Sequence, residues 1–112
     1  MNEITKEAIL KTEEVLNSIG LNIKFKGYRY WILAVLIKLK HSNYRLENIY
    51  KILAEKYKIS KTTISSAMNN IVEIADNSII QDYFKVSYKV TPSSLLELVS
   101  KKVERQLQAE RR

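Results

Sequence analysis

Cysteine is absent from this chain, proline occurs once and glycine twice. Without cysteine, neither a disulfide framework nor a thiolate metal site can be built. So few prolines and glycines argue against a turn-rich β fold, and they exclude a glycine-rich phosphate loop. His41 is the sole histidine, so a histidine-rich metal site cannot be assembled, and in its polar turn it reads as a surface side chain. Long apolar runs are missing too. The longest, Trp31 to Ile37, stops at Lys38, far short of the roughly 20 residues that a membrane-spanning helix needs. The stretch from Met1 to Gly20 carries four Glu and no apolar core. No secretory leader is expected there, and a cytoplasmic location is expected.

What remains is an ordinary globular mixture. Hydrophobic residues are 46% and charged residues 28% of the 112, which excludes a wholly disordered chain and predicts one domain over 1–112. The formal net charge is +7, and it is unevenly spread. Residues 1–23 carry a net −2, 24–61 a net +8, 62–84 a net −3 and 85–112 a net +4. A basic middle suggests an anionic partner, most simply nucleic acid. A solvated, lysine-rich surface gives the same pattern.

Helical spacing dominates the apolar residues, which predicts an all-α, compact domain of five to six helices. Ile4, Ala8, Ile9, Thr12, Val15, Leu16 and Ile19 share one face of a first helix, and Gly20 stops it. Leu21, Ile23 and Phe25 alternate with polar neighbours and predict a short extended stretch. A second helix from Tyr28 to Lys40 is apolar almost all round, as a central core helix is. A third, Leu46 to Lys58, turns Ile49, Ile52, Leu53, Ala54 and Tyr57 inward. Ser60 caps a fourth, Lys61 to Ala75, with Ile64, Ala67, Met68, Ile71, Ile74 and Ala75 as its apolar stripe. A short helix or turn covers Asn77 to Phe84, and Val86 to Val90 reads as extended. Pro92 opens a last helix over 93–108, with Leu95, Leu96, Leu98, Val99, Val103 and Leu107 inward. The tail from Ala109 to Arg112 is expected to fray.

The third and fourth helices have the register of a helix-turn-helix over 46–76. Ala54 permits a close crossing, Tyr57 and Ile59 bracket the turn, and Ile64 and Ala67 lock the second helix on the first. Lys58 stands at the turn, where glycine is common; the turn need not be left-handed there. A plain αα-hairpin buried in a core would share much of this register. The outer face of the fourth helix is unusual for a solvated one. Thr62, Thr63, Ser65, Ser66, Asn69 and Asn70 are poor helix formers where Glu and Lys would be expected. Asn pairs bidentately with adenine, and Ser and Thr reach bases or phosphates, so these six are the base-contact candidates. A capping preference at the first turn, plus chance, would leave a similar face. Phosphate-contact candidates are Lys26, Arg29, Lys51, Lys58, Ser60, Lys61, Lys85 and Lys89, with Lys24 and Lys56 nearby. Tyr28, Tyr30, Tyr50 and Tyr57 have core spacing, so packing is preferred to base stacking. Glu13-Glu14 and the Glu73–Asp76 pair read as solubility charges, and no catalytic constellation, cofactor or metal site is expected.

Several short matches in order, Ile19-Gly20, Lys26-Gly27-Tyr28 with Tyr30, Ile49-Tyr50, Leu53-Ala54-Glu55-Lys56-Tyr57, Ile64, Ala67-Met68, Val72-Glu73-Ile74-Ala75 and Pro92-Ser93-Ser94, carry a resemblance. Over roughly Ile19 to Leu107 the chain resembles the C-terminal effector domain of the stage-zero sporulation protein A family, the sporulation response regulators of Firmicutes. The resemblance implies a six-helix DNA-binding fold with Lys61 to Ala75 as recognition helix in the major groove. It also implies tandem binding to double-stranded DNA and contact with RNA polymerase sigma factor. Two departures stand out. The 18 residues before Ile19 are too few for the family's phospho-acceptor domain, so phosphorylation-driven dimerisation is not expected. The family's recognition helix is rich in Arg, with Glu and His beside it, whereas this one has Thr63, Ser65, Ser66, Asn69 and Asn70. An A·T-weighted operator fits that change, and so does loss of specific DNA binding.

The expected function is therefore a small stand-alone, non-enzymatic transcription regulator from a Firmicute chromosome or mobile element. The alternative is a protein-interaction module or antagonist that keeps the fold but binds a protein instead of specific DNA: a regulator, a sigma factor or another copy of itself. Leu95, Leu98, Val99 and Val103 look like more apolar surface than one small core needs, which suggests a homodimer through the last helix.

Overall fold

The computed structural model describes residues 3–110. Among them are six helices and no strand: α1 Glu3–Ser18, α2 Lys26–Lys40, α3 Leu46–Tyr57, α4 Lys61–Ile74, α5 Asn77–Phe84 and α6 Pro92–Glu110. Arg111 and Arg112 of the expected frayed tail lie outside the described residues, and α6 runs on to Glu110. None of these helices is long and apolar enough to cross a membrane.

α2 is the central element, packed against α1, α3, α4 and α6. Trp31, Ala34 and Val35 are fully buried in it. The Trp31 indole N–H donates to the Met68 carbonyl at 3.0 Å, so the largest core side chain also has its one polar group satisfied. α6 closes the other side against α1 and α2 with Leu95, Leu96, Val99 and Val103. In α1 the buried Thr12 hydroxyl donates to the Ala8 carbonyl at 2.7 Å, which explains a polar residue on an apolar stripe.

Three helices end in the same way. Gly20, Lys58 and Lys85 all have positive φ, at 85°, 55° and 57°. The next residue then donates back five positions: Leu21 N–H to the Leu16 carbonyl at 3.0 Å, Ile59 to Ala54 at 3.1 Å and Val86 to Gln81 at 3.1 Å. This 6→1 bond satisfies a carbonyl that the helix end would otherwise orphan. Glycine takes the left-handed conformation at one of the three ends. At the other two a lysine does, against a steric cost of about 1 kcal/mol.

Several inward assignments do not hold. Leu21 to Phe25 is a turn, not an extended stretch. The Phe25 N–H donates to the Asn22 carbonyl at 3.2 Å, and the Lys24 N–H donates to Asn22 Oδ1 at 3.0 Å. The local Asn-centred turn swings Ile23 outward, where it is 70% exposed. Ile52 is exposed because Tyr50 takes the inner position on α3, and Ile74 is exposed because Val72 does so before the chain leaves α4. Leu98 is half-buried. Val86 to Val90 forms no strand and is tied down instead by Gln81 Nε2 donating to the Tyr88 carbonyl at 2.8 Å and the Val90 N–H donating to Asn77 Oδ1 at 3.1 Å.

Of the apolar surplus expected on α6, Leu98 alone keeps part of its surface open. Leu95, Val99 and Val103 are fully buried in the chain's own core. α1, α2, α3 and α4 all pack against α6.

Candidate nucleic-acid interface

α3 and α4 pack against one another through Ile49, Leu53, Ile64 and Met68, all fully buried. The turn between them is Lys58-Ile59-Ser60. Lys58 is left-handed, with φ 55° and ψ 44°, so this lysine does what glycine commonly does at such a turn. Ser60 stays extended, and its Oγ accepts from the Thr63 N–H at 3.0 Å. That cap fixes where α4 begins.

The second contact that positions α4 comes from behind. A Cβ on Gly27 would lie 2.3 Å from the Ala67 carbonyl oxygen, so α2 and α4 touch backbone to backbone at this point. Ala67 therefore faces α2 here. The close approach expected at Ala54 is found instead between Gly27 and Ala67, and Ala54 is only half-buried.

The six base-contact candidates fall into two groups. Thr62, Thr63, Ser66 and Asn70 are exposed, while Ser65 and Asn69 are half-buried at the edge facing α3. The Ser65 hydroxyl donates to the Thr62 carbonyl at 3.1 Å. The Thr63 hydroxyl shares a 2.8 Å hydrogen bond with Ser60. Asn69 Oδ1 accepts a long 3.4 Å bond from the Tyr50 hydroxyl. Burial, and then the Glu47 carboxylate, raise the Tyr50 phenol above its ordinary value, so it stays a donor at neutral pH. With its oxygen facing Tyr50, Asn69 keeps its amide N–H groups available. Thr62, Ser66 and Asn70, spaced four apart, form the most open row.

The phosphate-contact candidates are not all brought together. Lys51, Lys58, Ser60 and Lys61 are exposed on the helix-turn-helix itself. Lys61 Nζ lies 2.7 Å from Glu47 Oε2, in an exposed pair that contributes little and can be exchanged for a phosphate. Lys26 and Arg29 sit on the first turn of α2 and line a groove with α1 and the end of α3, to which α4 adds no residue. Lys24 and Lys56 line the same groove. Lys85 ends α5, and Lys89 lies in the irregular segment before α6.

Lys38 was missed among the lysines. It is buried on α2, and its Nζ donates to the Ser42 and Tyr44 carbonyls at 2.7 and 2.6 Å and pairs with Glu97 Oε1 at 2.8 Å. It holds the α2–α3 turn to α6, so its charge is spent on structure. The sequence signal was its place on a helix that is otherwise apolar on most sides. His41 is exposed and stacks on Tyr44 with ring centroids 4.5 Å apart. Tyr28 and Tyr50 are buried. Tyr30 and Tyr57 are half-buried and meet edge to face at 5.2 Å. Among the described residues no three His, Cys, Asp or Glu side chains group as metal ligands would.

No protein-family model matches this chain, and no curated protein matches it.

Proposed function

We propose that the chain is a small DNA-binding transcription regulator, cytoplasmic and non-enzymatic, with α4 as the recognition helix in the major groove. One observation carries this reading. The exposed row Thr62, Ser66 and Asn70, with Thr63 beside it, is uncharged and rich in hydrogen-bonding groups, while exposed Lys51, Lys58 and Lys61 surround its N-terminal end. Phosphate contacts give affinity and base-edge contacts give sequence preference. Asn70, and Asn69 through its free amide donors, suit adenine, so the operator is weighted toward A·T pairs. The resemblance to sporulation regulators of Firmicutes supports the same reading, without the arginines that would read guanine.

Selection of bound sequences from a random duplex pool at about 0.15 M salt tests it. The expected result is a defined A·T-containing motif. Its affinity falls with a log–log salt slope near −3, about one phosphate for each of Lys51, Lys58 and Lys61. Salt-sensitive binding with no motif, or no binding, overturns it.

The same lack of charge on α4 favours one alternative. In that reading the face binds a protein, either a regulator, a sigma factor or a second copy of the chain. A complex of that kind survives high salt, whereas a phosphate-driven one does not.

A further inference from the structure

We infer that the groove formed by α1, the α1–α2 loop, the first half of α2 and the end of α3 docks an acidic amphipathic helix of a protein partner. The groove encloses about 770 Å³. Its apolar floor is Ile9, Phe25, Tyr30, Leu33 and Tyr57, each only half-buried by the chain itself. Ile23 stands at the edge, 70% exposed, placed there by the Asn22 turn. Leaving such a side chain in water is unfavourable, and covering it with a partner's apolar face regains that cost.

The rim is basic. Lys24, Lys26, Arg29 and Lys56 are exposed there, against the single carboxylate of Glu13. Among the described residues none of the four is in an ion pair. Two are held at the rim by aromatic rings: Lys24 Nζ lies 5.5 Å from the Phe25 centroid, and Lys56 Nζ 5.9 Å from that of Tyr57. Each ammonium lies over its ring, a contact that places the charge beside the apolar floor. An apolar floor between unpaired cations fits a helix with aliphatic side chains on one face and carboxylates on its flanks. A nucleic-acid strand fits less well. It would use the cations, but Ile9, Ile23 and Leu33 offer its backbone nothing. Tyr30 and Tyr57 are turned edge to face on one another and do not form an open stacking platform. Because α4 lines no part of the groove, this docking is independent of whether α4 binds DNA.

The test uses the full chain and a labelled helical peptide with Leu on one face and Glu on the other, followed by fluorescence anisotropy. The expected result is saturable binding that weakens about tenfold or more with Arg29→Glu, a charge reversal at the rim. Ile23→Ser, at an exposed position where folding is not at risk, should also weaken it, by about fivefold. Lys101→Glu on α6 and Asn70→Ala on α4 should leave it unchanged. Three outcomes overturn the inference: no saturable binding, equal binding of a control peptide with Ser in place of Leu, or displacement of the peptide by random duplex DNA. The last would give the groove to nucleic acid.

Discussion

α4 and α6 each bury one face and expose the other, but the exposed faces are made of different residues. α6 shows Glu97, Lys101, Glu104 and Arg105 to solvent, strong helix formers with mixed charges. α4 shows Thr62, Thr63, Ser66 and Asn70, each some tenths of a kcal/mol worse in a helix than Ala. The two also stay in place for different reasons. α6 is held by aliphatic burial, with ion pairs from Lys38 to Glu97 and from Lys11 to Glu110 at its edges. α4 is held by a cap at Ser60, a backbone contact at Gly27 and an indole hydrogen bond to Met68. A helix that needs only to be wet has no reason to accept a weak outer face. α4 accepts one, and specific contacts behind it offset the weakness.

The largest expected effect tests the α6 side. Leu95→Ala leaves a cavity in the fully buried core and should lower stability by about 3–4 kcal/mol in urea unfolding. A loss below about 1 kcal/mol would mean that the buried face of α6 is not what chiefly holds it.

Gly27→Ala comes next and tests the α4 side. The new methyl meets backbone rather than a flexible side chain, so α2 and α4 must separate, at a cost of about 2–3 kcal/mol. Unchanged stability would show that the helices do not approach as closely as 2.3 Å from a Cβ implies.

Asn70→Ala sharpens the contrast because its two readouts move in opposite directions. Thermal unfolding should show a gain of about 0.5 kcal/mol from helix propensity. Binding to the selected operator should lose about 1–3 kcal/mol of discrimination against a changed base pair. Lys101→Ala on α6 should alter neither stability nor binding by more than about 0.5 kcal/mol. If the two variants behave alike, the difference between the faces has no functional meaning.

Lys58→Gly is the smallest change. Relief of a left-handed lysine should stabilise the chain by up to about 1 kcal/mol, since the greater freedom of unfolded glycine takes back part of the gain. The same substitution should reduce the salt slope of DNA binding by about 1, if Lys58 meets a phosphate.

Much of the fold was legible because its signals are local. The stripe Ile64, Met68, Ile71 marks the inner side of α4, Ser60 marks its start and Pro92 the first residue of α6. Each needs only 3.6-residue periodicity or one capping hydrogen bond. The candidate site was legible in part. The polar row on α4 followed from composition, and the structure leaves four of its six members exposed. The grouping of the lysines did not follow. Lys26 and Arg29 are near α4 in the chain's helical order but open onto another face, and Lys38 is turned inward onto two carbonyls and Glu97.

The sequence by itself determined the helices, their order and the polar character of α4's outer face, because propensity, periodicity and caps act over one or two turns. Only the tertiary structure decided which apolar residues are surplus. Leu95, Val99 and Val103 look excessive until the other helices of the chain bury them, while Ile23 looks like core until the Asn22 turn exposes it. Gly27 shows the same division. Its residue type is plain in the sequence, but the backbone that leaves no room for a Cβ belongs to a helix forty residues further on.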